Sequence, residues 1–174
     1  NDVEGWQNKQ FLGGGEFAVP FGDYTVNITV PADHIVGSTG KLQNASSVLT
    51  SEQRKRWSKA QSTYDTPVMI VTPEEALEAE KTKSTDKKTW TFKAINVRDF
   101  AFASSRKFIW DAMAVDINGK NVMAVSYYPK EGNPLWEKYS TRVVAHTIKT
   151  YSKYTIDYPY SKAISVHANS IGME

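Results

Sequence analysis

The sequence has 174 residues and a formal net charge of +2, a length that suits one domain or a small domain with part of another. Its 40% hydrophobic and 23% charged residues exclude overall disorder, and no apolar run approaches the roughly 20 residues that a membrane-spanning helix needs. The absence of cysteine excludes a disulfide scaffold, a thiol nucleophile and a cysteine zinc site. The small net charge does not indicate a nucleic-acid partner. Because residue 1 is Asn, we expect a processed or excised chain.

The first 45 residues have the pattern of β structure. Apolar residues alternate with polar ones over 24–30, which predicts a strand with one buried face that ends at Pro31. Upstream, Gly13, Gly14 and Gly15 are similar to a phosphate-binding loop. No Lys-Ser/Thr pair or helical pattern follows them, so a bulge or tight crossing in a sheet is favoured over a nucleotide site.

A polar helical stretch interrupts the strands at about 50–85. Thr50 and Gln53 predict a capping box for a helix that continues to Gln61. A short apolar strand at 68–71 precedes a second helix, which Thr72 caps with Glu75 three residues later. This second helix has few residues to bury, so we expect a surface insertion.

Alternation returns at 90–97, where one set of side chains includes Trp90 and Phe92. The pair Asn118-Gly119 predicts a two-residue type I′ hairpin with arms at 108–117 and 120–128. Asn133 as the cap and Pro134 at the first position then predict the longest helix, ending near Thr155. Its apolar face is predicted from residues at helical spacing: Trp136, Tyr139, Val143, Thr147, Ile148, Tyr151 and Tyr154. A buried strand follows at 163–168.

These elements predict a β-rich α+β fold. Its N-terminal part is expected to be an antiparallel β-sandwich or a saddle-like sheet with inserted helices, followed by a hairpin–helix–strand unit. The composition changes near residue 105, so we expect a boundary between 1–105 and 106–174.

The three histidines give little indication of a metal site. None of His34, His146 and His167 has a second histidine four residues away, so a structural role is expected for each. No Gly-x-Ser-x-Gly motif is present.

Two basic clusters lie close in sequence to tryptophans, a pattern that can bind single-stranded nucleic acid. They are Arg54-Lys55-Arg56 near Trp57, and Lys87-Lys88 near Trp90. Given the small net charge, solvated surface faces are the favoured interpretation.

The C-terminal residues carry the most specific chemistry. A predicted buried strand continues through polar residues to Gly172, Met173 and Glu174. Gly permits close approach of a peptide backbone, and a carboxylate beyond it can bind a free amino terminus. The alternative is a loop that happens to contain a Glu.

Four segments together resemble the aminopeptidase N and leukotriene hydrolase family of zinc metallopeptidases. They are residues 17–31, residues 36–42, residues 90–100 with Val97-Arg98-Asp99-Phe100, and the long helix followed by Tyr158-Pro159-Tyr160, a strand and Gly172-Met173-Glu174. The resemblance implies that 1–105 are the later part of a β-rich N-terminal domain. It implies that 106–174 begin a thermolysin-like catalytic domain.

In that family a Gly-Ala-Met-Glu-Asn or Gly-Gly-Met-Glu-Asn segment edges the active-site groove, and its Glu holds the α-amino group of the substrate. The resemblance therefore assigns substrate binding to Gly172, Met173 and Glu174, with Ile171 where the family usually has Gly. The family's His-Glu-x-x-His motif and third zinc ligand are absent from this sequence, so no catalytic or metal-binding residue is assigned.

The resemblance thus predicts a fragment of a zinc-dependent aminopeptidase-like metallopeptidase that hydrolyses N-terminal peptide bonds. We expect zinc and a peptide substrate in the parent protein, meaning the longer protein of which this chain would be a part. For the fragment we expect no zinc, no activity, no nucleic acid and no membrane span. The family and the lack of cysteine also suggest an exported bacterial location. A non-catalytic β-rich binding module or adaptor is the alternative.

Overall fold

The computed structural model describes residues 19–168, which form a mixed α+β fold rich in strands, as predicted. The first sheet is antiparallel, with strands in the order β1 (Gly22–Pro31), β5 (Lys87–Val97) and β3 (Lys41–Leu42). A second, two-stranded sheet pairs β2 (Ile35–Ser38) with β6 (Phe102–Ser105). The third sheet has the order β4 (Val68–Val71), β7 (Ile109–Ile117), β8 (Lys120–Tyr128) and β9 (Lys162–Val166).

The third sheet is mixed, because β9 runs parallel to β8 while the other pairs are antiparallel. The helices are α1 (Ala45–Val48), α2 (Ser51–Ala60), α3 (Pro73–Thr82) and α4 (Leu135–Tyr154). Among residues 19–168, none of these helices combines the length and apolar character that crossing a membrane requires.

Strands β1 and β5 confirm the predicted alternation. Ile28 is paired with Trp90, and Trp90, Phe92 and Ala94 are buried on one face of β5. Lys93, between them, is exposed. One face of this sheet therefore enters the core and the other meets solvent.

The β7–β8 hairpin confirms the predicted turn. Asn118 and Gly119 have φ values of 51° and 83°, the left-handed pair that a type I′ turn requires. The Asp116 carboxylate accepts a hydrogen bond from the Gly119 amide at 2.8 Å. Both arms are almost continuously buried.

This continuous burial arises because the third sheet is covered on both faces. On one face Trp110 and Tyr127 pack into a core shared with Trp90 and Phe92 of the first sheet. On the other face α4 packs through a second apolar cluster that includes Ile148. The sheet is therefore a middle layer between the N-terminal strands and α4.

Helices α2 and α3 begin at the predicted capping boxes. The Thr50 and Thr72 side chains accept hydrogen bonds from the amides of Gln53 and Glu75, and both return bonds are present. In α3 only Ala76 is buried, where it packs beside Ile109.

Helix α4 departs from the sequence prediction in two ways. It begins at Leu135, with Pro134 as the cap rather than the first helical residue. The Asn133 side chain still accepts a bond from the Glu137 amide at 3.3 Å.

The predicted apolar face of α4 is also only partly buried. Its buried residues are Thr141, Ala145 and Ile148, whereas Tyr139, Val143, Tyr151 and Tyr154 are exposed. The helix lies against the sheet through Thr141, Ala145 and Ile148, and the four exposed residues lie on its outer side.

Candidate functional site

Strand β9 leads towards the segment in which the sequence predicts substrate binding. Val166 pairs with Tyr127 of β8, and the His167 amide donates to the Tyr127 carbonyl at 2.9 Å. The pairing therefore continues to the residue after the strand. Ile171, Gly172, Met173 and Glu174 lie outside the described residues, and so do Gly13, Gly14 and Gly15.

Aromatic packing holds the chain where it leaves β9. The His167 ring meets Trp136 edge-on, with 5.0 Å between centroids, and Trp136 packs on Tyr128 at 5.9 Å. A Cβ at Gly132 would lie 2.9 Å from the Trp136 ring, so this approach requires glycine unless the indole shifts. The start of α4 and the end of β9 are thus packed together.

A buried polar network lies between α4 and the third sheet. The Asp111 carboxylate accepts a hydrogen bond from the Tyr128 hydroxyl at 2.5 Å and another from the Thr141 hydroxyl. The Thr141 and Ser126 hydroxyl oxygens lie 2.7 Å apart. Because Thr141 belongs to α4, these bonds fix the helix to β7 and β8.

The same network reaches β9 through serine hydroxyls. The oxygens of Ser126 and Ser140 lie 2.9 Å apart, and those of Ser140 and Ser165 lie 3.3 Å apart. Strand β9 is therefore held by side chains from α4 as well as by its backbone pairing. We interpret the network as a support for the strand that precedes the predicted substrate segment.

The buried Asp111 carboxylate is protonated more readily than the carboxylate of an exposed Asp. Burial raises the pKa of Asp111 to about 6, although the hydrogen bonds from Thr141 and Tyr128 act in the opposite direction. Burial, together with the nearby Asp111 carboxylate, also raises the pKa of Tyr128. Asp111 is only 1% exposed, so its carboxylate lies in the interior of the fold.

This network was not predicted from the sequence. Its signal is Asp111 itself, a carboxylate within the apolar arm 108–117 of the hairpin. A buried charged side chain in such a strand needs hydrogen-bond partners, but the sequence does not indicate which residues supply them.

The other two histidines lie apart from this region of the fold. His34 Nδ1 is 2.8 Å from the Ser104 hydroxyl, which joins the loop before β2 to β6. His146 is exposed on α4, 3.4 Å from the Thr150 hydroxyl. Within residues 19–168, no three His, Cys, Asp or Glu side chains are grouped to hold a metal ion.

The basic clusters are largely engaged in contacts within the chain. Arg54 donates to the Leu49 carbonyl at 2.7 Å, and Arg56 pairs with Glu75 at 2.8 Å. Lys88 donates to the Val48 carbonyl at 3.0 Å. Arg54 and Lys88 therefore hold α1 to α2 and to β5, and Arg56 holds α2 to α3.

The chain's similarity to known proteins lies in its three-dimensional structure. No family model matches it, and no curated protein does. Among solved structures it is similar to a two-domain M1 zinc metallopeptidase crystallised with bound L-tryptophan, with a TM-score of 0.54 and 14% identity. The similarity covers 88% of this chain and 28% of the other. At this identity the likeness shows a shared fold only.

This chain therefore spans just over a quarter of the length of the peptidase whose fold it shares. The resemblance inferred from the sequence is confirmed at the level of the fold, since the structural relative is an M1 zinc metallopeptidase.

Proposed function

We propose that this chain is the front part of a zinc-dependent, aminopeptidase-like metallopeptidase. The observation that carries the proposal is the shared fold with an M1 zinc metallopeptidase over 88% of the chain. In this proposal, residues 1–105 belong to a β-rich N-terminal domain and 106–174 begin the catalytic domain. An exported bacterial location is part of the same proposal and follows from the family resemblance.

The substrate-binding role is assigned to the segment beyond β9. Glu174 would accept charge-assisted hydrogen bonds from the α-ammonium group of a peptide, and Gly172 would let the peptide backbone approach. The network from Asp111 to Ser165 and the contact of His167 with Trp136 support this role, because they hold the strand that precedes the segment.

Zinc would be bound by residues that this sequence does not contain. The 174 residues include no His-Glu-x-x-His motif. The residues of this chain would therefore position the substrate.

The outer side of α4 supports the proposal that the chain packs against more protein. Leu135, Tyr139, Val143 and Tyr151 recur every four or eight residues along the helix, and all are exposed. Exposed apolar side chains grouped on one side of a helix mark an interaction surface. We propose the remainder of the catalytic domain as its partner, since the similar peptidase is much longer than this chain.

The experiment that tests the proposal replaces Glu174 in the full-length gene product. With aminoacyl p-nitroanilides as substrates, Glu174→Ala is expected to lower kcat/KM by about 10- to 100-fold, because a hydrogen bond to a charged group is lost. Glu78→Ala is the matched control, since Glu78 is exposed on α3. It is expected to leave kcat/KM unchanged.

Unchanged cleavage by Glu174→Ala would contradict the assigned role of this residue. A full-length product that lacks the zinc-binding motif would contradict the peptidase proposal as a whole. It would instead favour the non-catalytic binding module or adaptor.

A further inference from the structure

A cavity of about 440 Å³ lies between the first and third sheets, beside α1 and α2. Its size falls within the range of roughly 300–1,000 Å³ that is typical of small-molecule sites. Most of its walls are apolar. Aromatic rings from α2, β5, β7 and β8 contribute five of its lining residues: Trp57, Trp90, Phe92, Trp110 and Tyr127.

Two of these aromatic residues have hydrogen-bond donors without an acceptor. The side chains of Trp90 and Trp110 are buried, with 1% and 4% exposure. The Nε1 atom of each indole has no partner among the described residues. Both nitrogen atoms are themselves buried, so a bound ring would contact the carbon faces and edges of these indoles rather than hydrogen-bond to them.

Positive charge lies at the edge of the cavity. Lys41 and Lys162 line both this cavity and an adjoining open cleft of about 900 Å³. The Lys162 ammonium is 5.4 Å from the centre of the Phe92 ring. No Asp or Glu side chain is among the described residues that line the cavity.

The charge of Lys162 lacks a carboxylate partner within the described part of the chain. Burial lowers the pKa of Lys162 to about 8, and no neighbouring carboxylate counteracts the effect. An anion placed beside this ammonium group would favour its charged form. A cationic ligand would be repelled.

We propose that this cavity is a binding site for a small aromatic carboxylate that enters from the adjoining cleft. Its ring packs among the tryptophan side chains, where stacked and edge-on contacts are favourable. Its carboxylate pairs with the Lys162 ammonium group. A neutral hydrocarbon would leave that ammonium without an anionic partner, and an ammonium compound would be repelled by it. The inference rests on residues of the described part of the chain and does not depend on peptidase activity.

The test is a titration of the full-length gene product with 2-naphthoate, with the tryptophan indoles labelled by nitrogen-15. We expect saturable shifts in the Nε1–H resonances of Trp90 and Trp110, which Trp90→Phe and Trp110→Phe assign. The resonance of Trp136, which packs on Tyr128 and His167 outside this cavity, is expected not to move. The neutral analogue 2-naphthamide is expected to bind at least tenfold more weakly.

Two variants and one matched control test the contacts that the proposal requires. Lys162→Met removes the charge and keeps an apolar stem of similar length, and it is expected to weaken 2-naphthoate at least tenfold. Lys93→Met is the matched control, because Lys93 lines only the outer cleft. Ala45→Leu adds volume at the cavity wall and is expected to reduce binding as well.

The absence of saturable shifts at Trp90 and Trp110 at millimolar 2-naphthoate would overturn the proposal and indicate a water-filled cavity. Equal affinity for 2-naphthoate and 2-naphthamide would also overturn it, because the charge would play no part. This comparison uses the wild-type protein, so it decides the question even where Lys162→Met fails to fold.

Discussion

The Asp111 carboxylate and the Tyr128 hydroxyl are 2.5 Å apart on neighbouring strands of a sheet that is buried on both faces. Thr141 of α4 donates the second bond to the same carboxylate. A single buried acid therefore joins both arms of the hairpin to the long helix. The stability of this junction should depend on the protonation of Asp111.

We predict that Asp111→Asn alters how stability changes with pH. The pKa of Asp111 is about 6, above its ordinary value of 3.8, so the folded state holds the proton more tightly than the unfolded state. The resulting stabilisation is complete below about pH 4 and is lost as pH rises through 6. The wild-type free energy of unfolding should therefore fall over this window by about 3 kcal/mol at most.

Urea denaturation at several pH values between 4 and 8 checks this prediction. In Asp111→Asn this part of the pH dependence should disappear, because Asn does not titrate. At pH 8 the variant should lie within about 1 kcal/mol of wild type, since the amide retains an acceptor. Parallel pH profiles for the two proteins would contradict the prediction.

A second prediction concerns Asp33, whose pH dependence has the opposite sign. Burial opposes its ionisation, but the hydrogen bonds from Arg106 at 3.0 Å and from the Ser84 amide at 2.8 Å hold its pKa below the ordinary value. This stabilisation is present above the ordinary pKa and is lost as pH falls through the lowered value.

Asp33→Asn should therefore lower the free energy of unfolding at pH 7 by about 1–3 kcal/mol. The difference from wild type should shrink at the lowest pH at which the protein folds. Asp86→Asn, at an exposed position, is the matched control and should change stability by less than about 0.5 kcal/mol. A difference for Asp33→Asn that grows with falling pH would be the opposite of the expected result.

A third prediction compares two glycines that both have positive φ. Gly119 has φ +83° and open space where a Cβ would lie, so Gly119→Ala should cost only the backbone strain of about 1–2 kcal/mol. At Gly40, with φ +79°, a Cβ would lie 2.5 Å from the Lys93 carbonyl oxygen. Gly40→Ala should therefore be clearly more destabilising in urea denaturation. Equal losses would show that β3 and β5 separate easily at this turn.

A fourth prediction concerns the capping boxes of α2 and α3. Thr50→Ala and Thr72→Ala should each lower the free energy of unfolding by about 1 kcal/mol, because an amide in the first helical turn loses its acceptor. Thr72→Ser retains a hydroxyl and should recover most of the loss. Thermal denaturation followed by circular dichroism provides the measurement. If Thr72→Ser lost as much stability as Thr72→Ala, the capping bond would not be the cause of the loss.

The features that the sequence predicted well depend on neighbouring residues. Alternation in β5, the left-handed pair Asn118-Gly119 and the cap at Thr72 are each specified within a few positions. Such local signals are sufficient to place a strand, a turn or a helix start. The resemblance to the metallopeptidase family extended this information to the fold.

Other features depend on contacts between residues far apart in the chain. The partners of Asp111 include a residue 30 positions away on α4, and no local pattern identifies it. The periodicity of α4 similarly did not separate its buried residues, such as Ala145, from exposed ones, such as Tyr139. The indoles that line the cavity come from α2, β5 and β7, so the sequence alone did not bring them together.

The most direct test of the central claim is the zinc content of the purified full-length gene product, measured together with its cleavage of aminoacyl p-nitroanilides. We predict about one zinc ion per chain and hydrolysis of substrates that have a free amino terminus, but not of their N-acetylated forms. A product with neither zinc nor cleavage would contradict the assignment to the metallopeptidases and leave only the shared fold.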